Sequence, residues 1–338
     1  MTRERLTALL DRMKGRLIVV VGDVMLDRYL IGDTDRLSPE APVPVVTIRE
    51  SRSALGGAGN VAANVAALGA KARLAGILGD DDNGALVRAE LVAKEIDERS
   101  LVAVAGRPTT TKTRVVARGQ QVVRIDEEVD LLLDEADQER LLERVLAAIP
   151  GADALVLEDY NKGALSAPLI SGAIAAARRA GVAIVVDPKY RHFFEFGGAT
   201  VFKPNRRELE SALGASVDIE RDSNALVGAL ERLAVDNLLL TLGSDGMVLV
   251  TKDGATMHIP SLAREVYDVS GAGDTVTAWL ATALAAGASV REAAHLANYA
   301  AGIEVAKAGV ATVSAAEVLA DHDERHDAIG RLRRGGLL

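Results

Sequence analysis

Leu17-Ile-Val-Val-Val-Gly-Asp23 is the stretch that decides the fold, because five consecutive apolar residues lead directly into a glycine and an acid. A run this short and apolar at every position predicts a strand that is buried on both faces. Similar runs recur along the chain, at Ala72–Leu78, Ala154–Leu157, Val182–Val186 and Leu238–Leu242. We therefore expect several strands of one buried, parallel sheet.

Helical patterns separate these strands, at Ala58–Leu68, Gly84–Ile96, Asp134–Ala148, Pro168–Ala180 and Glu208–Leu213. Repeated strand–helix–strand units predict an α/β fold whose mainly parallel sheet is covered by helices on both faces. Ligands of such sheets bind beyond the carboxyl ends of the strands, so the motifs located there are the candidates for function.

Two segments lack any helical period. Residues 28–52 are punctuated by prolines, and residues 109–126 alternate in polarity like a hairpin. We expect both to form an accessory β-sheet, a lid. No linker, internal repeat or low-complexity tract divides the rest, so residues 1–338 are expected to form a single unit.

Composition excludes several classes of protein. The 338 residues include 39 basic and 48 acidic ones, and the resulting net charge of −9 argues against a broadly basic nucleic-acid-binding protein. The absence of cysteine excludes disulfide scaffolds, thiolate metal sites and cysteine nucleophiles. The apolar runs are too short for a signal peptide or a membrane span. We therefore expect a soluble, cytoplasmic protein with no membrane or nucleic-acid partner.

The segment Asp268-Val-Ser-Gly-Ala-Gly-Asp274 precedes a helical pattern over Thr275–Ala286. Small residues at a helix start leave backbone N–H groups accessible, and the helix dipole favours an anion there. We expect the stretch 271–273 to hold a phosphoryl group, with Asp274 beside it to accept a proton from an attacking hydroxyl. The alternative is an ordinary helix start with a dipole-compensating acid.

A second glycine-rich segment, Gly56-Gly-Ala-Gly-Asn-Val-Ala-Ala-Asn64, opens another predicted helix. A G-x-G-x-x-A spacing within it fits a dinucleotide-binding fingerprint, and Asp80 follows about 20 residues on. The polar segment Arg49–Ser53 argues against an NAD enzyme, because a fingerprint glycine should end a strand directly. The other interpretations are close approach of the bare backbone and Asn60 to a polar substrate, and tight helix packing through glycine.

Polar residues also follow other strands. Asp23 and Asp27 come after the first strand, where carboxylates can accept hydrogen bonds from sugar hydroxyls or simply cap a turn. Asn205 and Glu208 follow the short strand Thr200–Phe202. Glu208 can hold magnesium-bound water, and the same two residues can form a helix capping box.

The segment Thr241-Leu-Gly-Ser-Asp-Gly246 follows the strand residues 238–240. Its threonine and glycines can contact phosphates or can form a tight turn. No Gly-x-x-x-x-Gly-Lys-Ser/Thr sequence occurs, so any ATP must be held without a Walker P-loop.

Taken in order, these motifs resemble the ribokinase-like (PfkB) carbohydrate kinase family. Residues 56–64 and 268–274 are similar to its two signature regions, and residues 205–208 and 241–246 fall between them in the family's order. The resemblance covers nearly the whole chain. It implies a ribokinase-like three-layer α/β/α sandwich with a mainly parallel central sheet and a small β-sheet lid over the sugar.

A narrower match is to the bacterial D-glycero-β-D-manno-heptose 7-phosphate kinases, carried by Gly22–Tyr29, Ser38–Val45 and Thr109–Arg114. Those enzymes phosphorylate C1 of the sugar to give the 1,7-bisphosphate during ADP-heptose synthesis for lipopolysaccharide. Many are fused to a nucleotidyltransferase domain, and this chain resembles the stand-alone kinase form. Glu158 departs from the subgroup, in which a serine is common at that position.

The resemblance implies a role for each matched residue. The catalytic group would be Asp274, Gly271, Ala272 and Gly273. ATP would be bound by Lys203, Asn205, Glu208, Thr241, Gly243, Gly246 and Asn298. The phosphosugar would be bound by Asp23, Asp27, Gly56, Gly57 and Asn60. The phosphate of that sugar needs cations, and from their charge and their place in loops or lid segments we expect Arg118, Lys162 and Lys189 to bind it. Glu208 would hold Mg²⁺ through water, and a potassium ion would lie at Asp268, Ser270 and Ser314.

The expected ligands are therefore ATP, Mg²⁺, K⁺ and a phosphosugar, and the exposed lid strands offer an edge for a homodimer. Three alternatives remain at this stage. One is another ribokinase-like kinase acting on fructose 6-phosphate, ribose, adenosine or 2-keto-3-deoxygluconate. The others are an NAD-dependent oxidoreductase and a non-catalytic sugar or nucleotide binder.

Overall fold

The computed structural model of the protein describes residues 1–217 and 223–334. In this part of the chain nine strands form the central sheet: β1 (Leu17–Gly22), β4 (Lys71–Gly79), β5 (Asp97–Val104), β8 (Ala154–Glu158), β9 (Ala183–Asp187), β10 (Val201–Phe202), β11 (Leu238–Thr241), β12 (Met247–Val250) and β13 (Thr256–Ile259). Their order is β13-β12-β11-β10-β9-β8-β1-β4-β5. All neighbours from β11 to β5 pair in parallel, and β12 and β13 add an antiparallel edge.

Strand β1 shows why the sequence selects this arrangement. Ile18 and Val20 belong to one apolar core, Val19 and Val21 belong to the other, and all four side chains are fully buried. A strand with two buried faces needs helices on both sides. The apolar run that opens the chain's first strand therefore fixes the layered architecture.

Helices cover both faces of the sheet, as predicted. One core packs against α1 (Arg3–Met13), α2 (Ala58–Ala67), α3 (Asp82–Ala93), α8 (Ala272–Ala285), α9 (Val290–Glu304) and α10 (Ala315–Arg334). The other packs against α4 (Glu135–Ala148), α5 (Ala167–Arg179), α6 (Arg206–Leu213) and α7 (Ser223–Leu233). Among the described residues, no helix is both long and apolar enough to cross a bilayer.

A second, four-stranded sheet forms the lid, from β2 (Val24–Leu37), β3 (Pro44–Gly57), β6 (Thr111–Ala117) and β7 (Gln120–Glu127). Its order is β3-β2-β6-β7. The first two strands are longer than the predicted segment 28–52, because their ladder continues down to the pair Val24–Gly57 beside the central sheet. The polar residues 49–53 are thus part of a strand that runs directly into the glycine-rich segment. That strand pairs antiparallel with β2 in the lid, whereas a dinucleotide fingerprint follows a strand of a parallel sheet.

Candidate active site

A cavity of about 450 Å³ lies beyond the carboxyl ends of the central strands, beside α8 and α9. This volume is in the range of small-molecule sites. The structure brings all seven predicted ATP-binding residues to its lining: Lys203, Asn205, Glu208, Thr241, Gly243, Gly246 and Asn298. The predicted ATP-binding residues that meet in the cavity are up to 95 residues apart in the sequence, counted from Lys203 to Asn298.

The first turn of α8 forms one wall of this cavity. Gly271 precedes the helix with a φ of +93°, a backbone conformation that glycine adopts without strain. A Cβ atom on this residue would lie 3.0 Å from the side-chain nitrogen Nδ2 of Asn60. Ala272 and Gly273 follow and line the cavity. Their small side chains leave the N-terminal end of the helix open toward an anion.

Asp274 lies in the same turn and is 4% exposed. Its Oδ2 accepts a hydrogen bond from Asn60 Nδ2 at 2.7 Å, and its Oδ1 accepts one from the Tyr160 hydroxyl, also at 2.7 Å. Burial raises the pKa of Asp274 to about 6, although these two donors stabilise the ionised form. The carboxylate is therefore mostly ionised at pH 7 and poised to accept a proton.

Two more carboxyl groups lie next to Asp274. Oxygen atoms of Glu158, Asp187 and Asp274 are all within 4.8 Å of one another. Lys203 Nζ lies 2.7 Å from Asp187 Oδ2 and forms a buried ion pair. Burial, and then repulsion by Asp187 and Asp274, raises the pKa of the fully buried Glu158 well above its usual range. The crowding of three carboxyl groups therefore disfavours a charge on Glu158, and the Lys203 ammonium places positive charge beside the cluster.

Asn205 and Glu208 form a complete capping box at the start of α6. The side chain of Asn205 accepts the Glu208 amide at 2.9 Å, and Glu208 Oε2 accepts the Asn205 amide at 2.8 Å. The other carboxylate oxygen pairs with Lys189, and all three residues line the cavity. A carboxylate fixed in this way at the wall of the cavity fits water-mediated binding of Mg²⁺.

The segment Thr241–Gly246 forms the tight turn that was one of its two interpretations. Gly246 has a φ of +89°, and a Cβ atom there would overlap the carbonyl oxygen of Ile259. Gly243 has a φ of +62° with open space around it. Because both glycines also line the cavity, the turn presents bare backbone to a ligand.

The lid side of the site is built by close packing around two glycines. A Cβ atom on Gly56 would lie 2.5 Å from the Asp27 carboxylate, and one on Gly57 would lie 2.5 Å from the Asp23 carbonyl oxygen. Asp27 forms an ion pair with Arg114 and is 6% exposed. The glycines of this segment therefore allow tight packing, which was one of its interpretations. Asn60, from the same segment, forms a hydrogen bond with Asp274.

Asp23 is 1% exposed, and its carboxylate is already occupied. It accepts the backbone amides of Tyr160 at 2.8 Å, Lys162 at 2.9 Å and Ala164 at 3.0 Å. In this structure Asp23 fixes the loop after β8 instead of opening toward a sugar.

The predicted cations for the substrate phosphate do not all meet. Lys162 Nζ lies 2.8 Å from Glu128, which also binds Lys112 at 3.0 Å. Arg118 lies at the turn between β6 and β7, exposed and paired with Asp35. The third predicted cation, Lys189, pairs instead with Glu208 at the cavity, so the three predicted cations do not share a site.

The predicted potassium ligands are also only partly assembled. The Asp268 carboxylate accepts the amides of Ser270 at 2.9 Å and Gly309 at 3.1 Å. Ser314 instead begins α10, with its hydroxyl donating to Glu317 Oε2 at 2.8 Å. The loop around Asp268 is ordered by carboxylate–amide bonds, whereas the hydroxyl of Ser314 is engaged in a helix cap.

Sequence reasoning missed Tyr160 and Asp187. Both residues lie at or just after the carboxyl end of a central strand, β8 and β9 respectively. The rule that ligands bind at these ends would have marked them as candidates. The hydrogen bond from Tyr160 to Asp274 and the ion pair between Asp187 and Lys203 join separate segments of the chain, so no local sequence pattern indicates them.

Comparison with known proteins identifies the family. Residues 16–317 match the pfkB family carbohydrate kinases. The chain is 44% identical over 320 residues to bifunctional protein HldE of Pelobacter propionicus, covering 94% of this chain and 66% of that protein. It is 46% identical to bifunctional protein HldE of Rhodospirillum rubrum, covering 90% and 61% of the two chains. The chain thus spans about two thirds of the length of these curated relatives.

Solved structures confirm the predicted fold. Arabidopsis thaliana ribokinase complexed with ribose and ATP superposes with a TM-score of 0.69 at 24% identity, covering 90% of this chain and 98% of that one. Escherichia coli phosphofructokinase-2 in complex with potassium superposes with a TM-score of 0.74 at 20% identity, covering 90% of this chain and 97% of that one. Family and fold agree with the predicted enzyme class and contradict the NAD-dependent oxidoreductase. The chain belongs to the pfkB family of carbohydrate kinases.

Proposed function

We propose that the protein transfers the γ-phosphoryl group of ATP to C1 of D-glycero-β-D-manno-heptose 7-phosphate, giving the 1,7-bisphosphate for ADP-heptose and lipopolysaccharide core synthesis. The observation that carries the kinase reaction is the buried, doubly hydrogen-bonded Asp274 at the open N-terminus of α8. The choice of sugar is supported by the motifs at 22–29, 38–45 and 109–114 and by the HldE relatives.

In the proposed reaction ATP lies in the cavity with its γ-phosphate at the first turn of α8. Asp274 takes the proton of the C1 hydroxyl as that oxygen bonds to the γ-phosphorus and the bond to the β–γ bridging oxygen breaks, which releases ADP. The amides of residues 271–273 stabilise the negative charge on the transferring group. Glu208 would hold Mg²⁺ through water, and the ion would supply positive charge to the phosphates.

The phosphate already on the sugar requires a cationic site of its own. Lys162 and Lys112 converge on Glu128, which balances their charge in this structure. We propose that the 7-phosphate takes the place of the Glu128 carboxylate between these two lysines. A phosphate carries more charge than a carboxylate and offers more acceptor atoms to the two ammonium groups.

A panel of acceptors tests this function. We expect ADP release with magnesium ATP to be fastest for the heptose 7-phosphate and slower for fructose 6-phosphate, ribose, adenosine and 2-keto-3-deoxygluconate. The same panel in potassium and sodium buffers should show faster turnover in potassium if the Asp268 loop binds that ion. Preference for another acceptor would overturn the choice of sugar, and absence of ADP release with every sugar would overturn the kinase.

We further propose that two copies form a homodimer through their lids. Strand β7 is an edge strand whose eight residues are all exposed, including Val123 and Ile125. An uncovered edge with apolar side chains can pair with the same edge of a second copy. Ile125→Asp should convert a dimer to a monomer in light scattering, whereas Leu146→Asp on exposed α4 should not. A monomeric unmodified protein would contradict this assembly.

A further inference from the structure

The hydroxyl of Tyr160 occupies a specific place in the site that the proposed reaction has not yet used. It donates to Asp274 Oδ1 at 2.7 Å, and Asn60 donates to Oδ2 at the same distance. A carboxylate has about four acceptor positions, so one donor on each oxygen leaves one position free on each of them. The two donors therefore fix the plane of the carboxylate and leave a free lone pair for an incoming hydroxyl.

Tyr160 is itself held from two sides. The Asp23 carboxylate accepts its backbone amide at 2.8 Å, together with the amides of Lys162 and Ala164. Lys189 Nζ lies 5.4 Å from the centre of its ring and also pairs with Glu208. Because Asp23 fixes the backbone of the loop, rotation of the phenol away from Asp274 would break the contact between its ring and Lys189.

The phenol remains a hydrogen-bond donor over the working pH range. Burial, and then repulsion by Asp274 and Glu158, raises the pKa of Tyr160 well above 10. The other polar and charged groups that face Asp274 come from five elements: Asn60, Glu158, Asp187, Lys203 and Glu304. Among these, Asn60 is the other side chain that donates a hydrogen bond to Asp274, whereas three are acids that disfavour its charge.

We infer that Tyr160 is a positioning residue of the transfer reaction, whose hydroxyl orients the Asp274 carboxylate and keeps it ready to accept the proton of the acceptor hydroxyl. This inference rests on the proposed role of Asp274 as the base. It also gives the buried Asp23 a role in the site. The Asp23 carboxylate holds the loop after β8, and that loop carries the Tyr160 phenol.

The test is the pH profile of kcat/KM for the acceptor in Tyr160→Phe, which keeps the ring and removes the donor. A hydrogen bond to a charged group is typically strong enough to change a pKa by about one unit. Because this bond stabilises the ionised Asp274, its loss should move the acidic limb upward from near pH 6 by about one unit. Activity should then fall about eightfold more at pH 5.5 than at pH 8.5.

Two variants make the result specific. Tyr190→Phe removes the same atom from a tyrosine that is 71% exposed, and its profile should match that of the unmodified protein. Asp274→Asn tests the base itself. An active Asp274→Asn would overturn the proposed base, whatever Tyr160 does. An inactive Asp274→Asn together with a Tyr160→Phe profile that is unshifted, or lowered equally at every pH, would overturn the role of Tyr160 alone.

Discussion

Asp274→Asn is expected to lower kcat by about 10²- to 10⁴-fold, the usual contribution of a general base, while ATP binding is retained. The amide has the shape of the carboxylate but cannot take the proton of the acceptor hydroxyl. ATP affinity should change little, because the predicted nucleotide contacts come from other residues of the cavity wall. Steady-state kinetics give kcat, and calorimetry with a non-hydrolysable ATP analogue gives the affinity.

The matched control for this variant is Asp82→Asn. Asp82 is also an acid in the first turn of a helix, α3, but it is exposed and does not line the cavity. Both changes remove the same favourable interaction with a helix dipole. Only a loss confined to Asp274→Asn supports a role in proton transfer. Retention of more than about a tenth of kcat, set against the expected range for a base, would exclude that role.

The pKa of Asp274 also predicts how the reaction responds to pH. Burial raises this pKa to about 6, so the carboxylate becomes protonated as the pH falls through 6. The base is then lost, and activity should decline on the acidic side of neutrality. This decline is the acidic limb of the pH profile, and Tyr160→Phe is expected to shift it to higher pH.

The architecture could be predicted because its signals are local. The apolar run 17–21 shows two buried faces in its own composition, and the glycines at 271 and 273 mark a helix start that an anion can approach. The same holds for the capping box at 205–208, which the structure confirms. Such features depend on neighbours within a few positions of the chain.

The finer arrangement of the site could not be predicted, because its contacts join distant segments. The hydrogen bond between Tyr160 and Asp274 spans 114 positions, and the carboxylate of Asp23 binds amides about 140 positions away. Nothing in the sequence around Arg118 distinguishes it from Lys162, yet one lies at an exposed turn and the other lies beside Glu128. Charge alone indicates candidates, and the fold decides which of them share a site.

Lys203→Met should destabilise the protein by about 3–5 kcal/mol, since removal of one partner from a buried ion pair leaves the other charge uncompensated. Lys203 is 3% exposed, and its Nζ is 2.7 Å from Asp187 Oδ2. Asp187 and Glu158 together raise the pKa of Lys203 despite its burial, so the lysine is charged in the folded state. Its contribution is complete at pH 7 and is lost only when the pH rises through that raised pKa.

Urea unfolding at pH 7 measures the change in the free energy of unfolding. A second lysine–aspartate pair with the same N–O distance, but on the surface, provides the control. Lys252 Nζ also lies 2.7 Å from a carboxylate, that of Asp236, but its side chain is 77% exposed. Lys252→Met should therefore cost no more than about 1 kcal/mol. Equal losses for the two lysines would show that burial is not what makes the pair at Asp187 important.

The double variant Lys203→Met/Asp187→Asn separates the structural role of this pair from its role in the reaction. Removal of both charges leaves no buried ion without a partner, so most of the lost stability should return. Turnover should not return with it, because both residues line the cavity where positive charge is needed opposite the phosphates. A double variant that recovers kcat together with stability would mean that Lys203 serves only to neutralise its neighbour. One that recovers neither would mean that the neighbouring Glu158, and not the loss of the lysine's partner, sets the cost of the single change.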